Sequence, residues 1–209
     1  MLNNKGFDLW ANHYDQSVHM SEEANEYPFA GYKNVLNKIY NIVRQGKGKN
    51  VLELGFGTGI LAQKLYEDGY TIYGIDFSEK MIEIAKKKMP DATLIQYDFS
   101  HGIPKELKNL TFDAIICTYA IHHLNNKQKI EFLKQLQTML SPNGKILIGD
   151  VAFLTVEEME ACKKEQADKW DDEEIYPVME EMKGALPSIK FDKISHCAGI
   201  FVLEKDKRI

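Results

Sequence analysis

A glutamate and three glycines at alternate positions are the residues of this chain best suited to hold a ligand. Glu53 lies in an apolar run that begins at Val51, and Gly55, Gly57 and Gly59 follow it. Apolar residues then recur at helical spacing. A strand that passes through a glycine turn into a helix presents bare backbone N–H groups to a ligand. The pattern therefore predicts a small-molecule site at this turn.

The spacing of the glycines bears on the kind of ligand. Dinucleotide sites usually read G-x-G-x-x-G and dock a pyrophosphate on the helix N-terminus. Here the pattern is E-x-G-x-G-x-G, which is one residue tighter and places a carboxylate before the glycines. A carboxylate repels a pyrophosphate but can help to hold an ammonium group, directly or through water. The motif therefore disfavours NAD.

This motif resembles the first motif of the class I, Rossmann-like S-adenosylmethionine (SAM) methyltransferases. Three later landmarks occur in the order found in that superfamily: D-x-S-x-x-M from Asp76, the strand end Asp98-Phe99, and F-D-x-x-x followed by H-H-L within residues 112–124. The resemblance covers residues 46–150 tightly and the rest of the chain loosely.

An adenosine site is predicted from the second and third landmarks. Asp76 lies seventeen residues after Gly59, and an acid at the tip of a second strand can accept hydrogen bonds from both ribose hydroxyls of either SAM or NAD. Phe77 and Met81 can line an adenine, although Met81 equally fits the buried stripe of a helix. The resemblance further implies that Asp98 accepts a hydrogen bond from the adenine amino group and that the Phe99 backbone N–H meets a ring nitrogen.

The resemblance also implies contacts to the methionine part of SAM. It places Cys117 beside that part, at the end of the fourth strand. The N-terminal W-x-x-x-Y-D, residues 10–15, resembles a segment that folds over SAM in small bacterial methyltransferases. Tyr14 is therefore a candidate cofactor contact, with packing against the sheet as the alternative.

Two adjacent histidines follow the fourth strand pattern. His122 and His123 lie in the loop beside the expected methyl group, and a histidine that titrates near neutrality can act as a general base. Alternatively, the two side chains hold the loop through hydrogen bonds. Adjacent histidines without a carboxylate cluster do not argue for a metal site.

The order of elements predicts an α/β fold. We expect a doubly wound, mostly parallel seven-stranded sheet with helices on both faces and an antiparallel last strand. A single domain is expected over residues 1–209. Its parts are an N-terminal helical segment at 1–45, a SAM-binding core at 46–150, a helical lid insertion at 151–188 and a final strand pair at 189–209.

Composition limits the partners. The net charge is −5 and three cysteines share no C-x-x-C spacing, so we expect neither nucleic-acid binding nor a disulfide framework. No signal peptide or membrane span is evident, and a cytoplasmic location is expected. The acidic lid insertion disfavours a polyanionic acceptor, and within it Trp170 and Tyr176 are candidate acceptor contacts.

The function hypothesis from sequence is a SAM-dependent methyltransferase that acts on a small molecule. One alternative is a protein that binds SAM or S-adenosylhomocysteine without catalysis, because binding and turnover use the same motifs. A less favoured alternative is an NAD-dependent oxidoreductase.

The first prediction concerns the cofactor. SAM and S-adenosylhomocysteine should raise the thermal unfolding temperature and NAD should not, because the tight glycine turn leaves no room for a pyrophosphate. Asp76→Ala should weaken SAM binding by about 1.5–3 kcal/mol, the scale of charge-assisted hydrogen bonds. Stabilisation by NAD without stabilisation by SAM would contradict the assignment.

Overall fold

The computed structural model describes residues 25–205. These residues form six helices: α1 Tyr32–Gln45, α2 Ile60–Glu67, α3 Glu79–Lys88, α4 Asn126–Thr138, α5 Val156–Glu165 and α6 Met179–Lys183. They also form seven strands: β1 Asn50–Leu54, β2 Thr71–Asp76, β3 Thr93–Gln96, β4 Phe112–Thr118, β5 Leu140–Val151, β6 Lys190–Lys193 and β7 Ala198–Glu204. Short 3-10 turns occupy Phe99–His101 and Ile121–His123.

All seven strands lie in one sheet, in the order β3-β2-β1-β4-β5-β7-β6. Strands β1 to β5 are parallel, whereas β7 runs antiparallel between β5 and β6. The short connection from β6 to β7 forces that antiparallel pairing, because a parallel crossover needs a longer link. The predicted fold class is confirmed. Between β1 and β4 the strand order reverses direction, and a crevice opens there at the carboxyl ends of the strands.

Helices cover both faces of the sheet, and each face has its own apolar cluster. Helices α1, α2 and α3 pack on one face, where α1 contributes Val35, Leu36, Ile39 and Val43. Helices α4 and α6 pack on the other face. Alternate residues along each strand serve the two clusters, as the two-residue period of a strand requires.

Local capping sets where two site-bearing helices begin. The Ser78 hydroxyl accepts a hydrogen bond from Met81 N at 3.2 Å and caps α3. Asn125 and Gln128 form a reciprocal capping box at the start of α4. Ser and Asn are favoured at such positions, since their side chains satisfy the free N–H groups of a first turn.

Residues 141–144, Ser-Pro-Asn-Gly, have a composition typical of a turn but lie within the bounds of β5. Pairing with β4 shifts there: Phe112 pairs with Leu140, but Ala114 pairs with Lys145. The four turn residues therefore form a bulge opposite a single residue of β4, and the Ser141 hydroxyl donates to Asp113 Oδ1 at 2.7 Å. The Pro-Asn-Gly composition produced a bulge in place of a separate turn because the chain on both sides of it stays paired.

The insertion at 151–188 is joined to the loop after β4. Ile175 N donates to the His122 carbonyl at 2.9 Å. The Lys129 ammonium, fully buried on α4, donates to the Leu124 carbonyl and, at 2.5 Å, to the Ile175 carbonyl. Burial lowers the pKa of Lys129 to about 8. One buried ammonium thus bridges the lid insertion and the loop after β4, which contains His122 and His123. No helix within residues 25–205 is long and apolar enough to span a membrane.

The bridge leads to a stability prediction. Lys129→Met should lower the free energy of unfolding by about 1–3 kcal/mol and speed proteolysis near Ile175, because two buried carbonyls lose their donor. Lys127→Met on the same helix is the matched control, since that side chain is 84% exposed and should change stability by less than about 0.5 kcal/mol. Denaturant unfolding and limited proteolysis measure both effects. Equal behaviour of the two variants would refute the bridge.

Candidate functional site

A cavity of about 300 Å³ opens at the carboxyl ends of β1 to β4. Its volume falls within the range of small-molecule sites. Sequence-predicted residues that line it are Glu53, Gly55, Gly57, Asp76, Phe77, Met81, Asp98, Phe99 and His123. Residues scattered over 70 positions of sequence are therefore brought together at one place.

The glycine turn has the left-handed backbone that its sequence suggested. Gly55, Gly57 and Gly59 have φ of 63°, 56° and 77°. A Cβ on Gly55 would lie 2.6 Å from the Ala120 Cβ, whereas a Cβ on Gly57 would have no atom within 4 Å. Gly55 is thus required by close packing. Gly57 is required only by its backbone conformation, and it leaves open space beside the turn.

Glu53 is the most unusual group in the cavity. Its side chain is 2% exposed, and Oε2 has no hydrogen-bond partner among the described residues. Burial raises the pKa of Glu53 to about 8, against a hydrogen bond from the Ala62 backbone and with a further increase from the Asp76 charge. A buried carboxyl with a free oxygen fits a ligand that brings its own positive charge. The ammonium group of SAM meets that requirement.

Asp76 links the turns that follow β1 and β2. Its Oδ2 accepts from Gly57 N at 2.8 Å, and its Oδ1 accepts from Ser78 N at 2.9 Å. These bonds orient the carboxylate at the cavity wall, where further lone pairs can accept from ribose hydroxyls. Asp98 accepts from Ser100 N at 2.8 Å and keeps its side chain 54% exposed.

Apolar side chains form the wall between these two carboxylates. Phe77 and Met81 follow β2, and Phe99 follows β3; all three line the cavity. The Phe99 ring stacks on Phe132 at a centroid distance of 5.7 Å. A cavity lined by these three apolar side chains together with Asp76 and Asp98 matches the polarity of an adenosine.

The two adjacent histidines have different environments. His123 lines the cavity, and burial together with the charge of His122 lowers its pKa to about 4. His122 lies behind it, with Nδ1 2.8 Å from Asp150 Oδ1 and Nε2 3.5 Å from Glu174 Oε1. Burial opposes the charged form of His122, but Asp150 and Glu174 outweigh it and raise its pKa. The expected titration near neutrality therefore does not apply to His123, the histidine that faces the cavity.

Several predicted site residues lie elsewhere. Cys117 does not line the cavity, because its side chain is buried in the sheet core, whereas the next residues along the chain do. Trp170 stacks on Tyr27 at 5.5 Å, and the Tyr176 hydroxyl bonds to Tyr27 and Glu174. Trp170 and Tyr176 thus pack against Tyr27 and against each other, and neither lines the cavity. Tyr14 lies outside the described residues.

Sequence reasoning missed most of the residues at one end of the cavity. This part, here called the β4 end, is lined by Tyr32, Leu36, Thr118, Tyr119 and His123. Tyr119 has φ of 50°, a conformation that is uncommon for a bulky residue and often marks a functional site. Nothing in the sequence signals that conformation. The amphipathic pattern of α1 indicated burial but not which residue reaches the cavity.

Comparisons with known proteins agree with this geometry. A family profile described as a methyltransferase domain matches residues 51–144. An uncharacterized methyltransferase of Anoxybacillus flavithermus is 39% identical over 163 residues, which is 78% of this chain and 74% of the relative. One of Oceanobacillus iheyensis is 33% identical and covers 88% and 87% of the two chains.

Solved structures show the same fold. The magnesium protoporphyrin IX methyltransferase of Synechocystis, with bound S-adenosylhomocysteine, has a TM-score of 0.65 at 18% identity and 83% coverage of both chains. Taken with the sequence relatives, the glycine turn and the carboxylate at each strand end, this identifies the family. The chain belongs to the methyltransferase family, within the class I, Rossmann-like superfamily whose cofactor is S-adenosylmethionine.

Proposed function

We propose that this protein transfers a methyl group from SAM to a small-molecule acceptor bound at the β4 end of the cavity. The observation that carries the proposal is that two sets of side chains line one cavity. Carboxylates and apolar side chains suit SAM, while the aromatic side chains of Tyr32 and Tyr119 and the ring of His123 are available to an acceptor.

The residues present fit the cofactor. Glu53 would hold its ammonium group, Asp76 its ribose hydroxyls and Asp98 its adenine amino group, while Phe77 and Met81 would lie against the adenine. When bound, SAM supplies a methyl group already activated on a positively charged sulfur. The protein therefore has to hold the acceptor atom in line with that methyl and exclude water.

His123 is suited to orient the acceptor. Its pKa near 4 keeps the imidazole neutral at physiological pH, so one ring nitrogen can accept a hydrogen bond from an acceptor N–H, O–H or S–H group. His122, held between Asp150 and Glu174, supports His123 from behind, with the two rings 4.3 Å apart. His123 would contact the acceptor atom that receives the methyl group, and His122 would hold His123 in position.

The cavity volume supports a small acceptor, and the cysteines support a cytoplasmic location. The cavity volume of about 300 Å³ leaves little room beyond the cofactor. The three cysteines of the protein are all free thiols, which suits a reducing compartment.

Turnover gives the direct test. With methyl-labelled SAM and a metabolite extract, the protein should label a compound of low molecular mass. His123→Asn should lower turnover about 10²-fold while SAM affinity stays nearly unchanged. His196→Asn, at an exposed position outside the cavity, is the matched control. His123 stays neutral between pH 8 and 6, so its protonation should not lower turnover in that range. Toward pH 4 His123 becomes charged, and turnover should fall. Absence of any labelled product despite SAM binding would reject the proposal.

Cofactor binding should also release a proton from Glu53. At pH 7 a carboxyl with a pKa of about 8 is mostly protonated, and an adjacent ammonium favours its charged form. SAM affinity should therefore rise with pH up to about 8. Calorimetry in buffers of different ionisation enthalpy should detect more proton release in the parent than in Glu53→Gln. Equal proton release would show that Glu53 does not ionise on binding.

A further inference from the structure

The cavity walls contain carboxylates but no lysine or arginine, as far as residues 25–205 define them. The three carboxylates are Glu53, Asp76 and Asp98. A protein that binds a carboxylate or phosphate acceptor normally supplies a cationic side chain or a set of N–H donors for it. An anionic acceptor would here lose its hydration without a cationic side chain among the described lining residues to compensate, which is unfavourable.

Carboxylates also lie near the β4 end, where the acceptor would bind. The charges of Asp98, Asp150 and Asp171 favour the charged form of His123, but burial, which is the largest effect, and the charge of His122 outweigh them. Asp150 is fully buried, and its Oδ2 has no hydrogen-bond partner among the described residues. A positive charge on the acceptor would be attracted to this region.

Charge outside the cavity has the same sign. The lid insertion at 151–188 contains eleven acidic and four basic residues. A surrounding negative field raises the local concentration of cations and lowers that of anions.

Aromatic side chains complete the β4 end. Tyr32 and Tyr119 line it with ring centroids 5.1 Å apart, and Phe29 packs against both at 5.8 and 5.4 Å. Aromatic faces attract ammonium groups and also bind apolar or aromatic bodies. The walls therefore suit a molecule with a cationic group and an apolar body.

We propose that the acceptor is a small amine, an inference that rests on the proposed methyl transfer. The ammonium group first loses a proton to solvent, and neutral His123 accepts a hydrogen bond from a remaining N–H of the amine. The nitrogen lone pair then forms the bond to the methyl carbon, and the carbon–sulfur bond breaks with its electron pair going to sulfur. The products are the methylated ammonium and S-adenosylhomocysteine, with one proton released.

A matched pair of ligands tests the charge preference without turnover. Tyramine and 4-hydroxyphenylacetate share one aromatic ring and differ in the sign of their charge. On the full chain saturated with S-adenosylhomocysteine, calorimetry should show tyramine binding at least about tenfold more tightly. Equal binding, or tighter binding of the acid, overturns the proposal.

A charge placed at the β4 end gives an independent check. Leu36 lines the cavity and is 8% exposed, so Leu36→Lys would add a cation there. That variant should lose the preference for tyramine, whereas Leu36→Met should retain it. Binding of S-adenosylhomocysteine to both variants verifies that the site is formed. A preference that is the same in both variants would refute the electrostatic origin of the selectivity.

Fractionation of labelled products separates this inference from the proposed function. After removal of SAM, label in a compound retained by a cation exchanger at pH 7 supports the amine. Label in an anionic compound overturns the amine and leaves methyl transfer standing. If no compound is labelled, methyl transfer fails, and the ligand pair still decides the charge preference of the cavity.

Discussion

The Asp76 carboxylate makes the interaction on which the rest of the site depends. By accepting from Gly57 N and Ser78 N, it joins the turn after β1 to the turn after β2. Those turns begin the helices α2 and α3, so a single side chain sets the spacing of two helix N-termini at the edge of the sheet. Its charge also acts on Glu53, and the two carboxylates together make this corner of the cavity receptive to a cation. Geometry and electrostatics at the cofactor end thus have a common origin.

The buried Glu53 makes the glycine turn poorly suited to a dinucleotide. Many Rossmann-like folds use the N-terminus of the first helix to hold a pyrophosphate. In this chain Glu53 is buried in front of that helix, and it would face the phosphates without any cation among the described lining residues. The same architecture therefore serves a cationic ligand.

The paired histidines show how one sequence motif divides into two roles. His123 faces the cavity and is kept neutral by burial, whereas His122 lies between two carboxylates and carries more positive character. The lid insertion contacts this loop in two ways: Glu174 lies beside His122, and the Ile175 carbonyl accepts from the buried Lys129. The position of the loop after β4 is consequently coupled to the packing of a segment far along the chain. Movement of the lid would change the surroundings of both rings.

Local patterns in the sequence were sufficient for the fold class and most of the cofactor end. The glycine turn, the strand-end acids and the Ser78 and Asn125 caps are short-range features, and each is determined by neighbouring residues. Tertiary structure decided what depends on contacts between distant residues. Burial, which no local pattern specifies, gave Glu53 and His123 their pKa values. The alternation of side chains along β4 places Cys117 in the sheet core. Trp170 and Tyr176 pack against each other and against Tyr27 and do not line the cavity. The left-handed backbone of Tyr119 and the position of Tyr32 on α1 created the β4 end, because only the assembled sheet brings the first helix against the loop after β4.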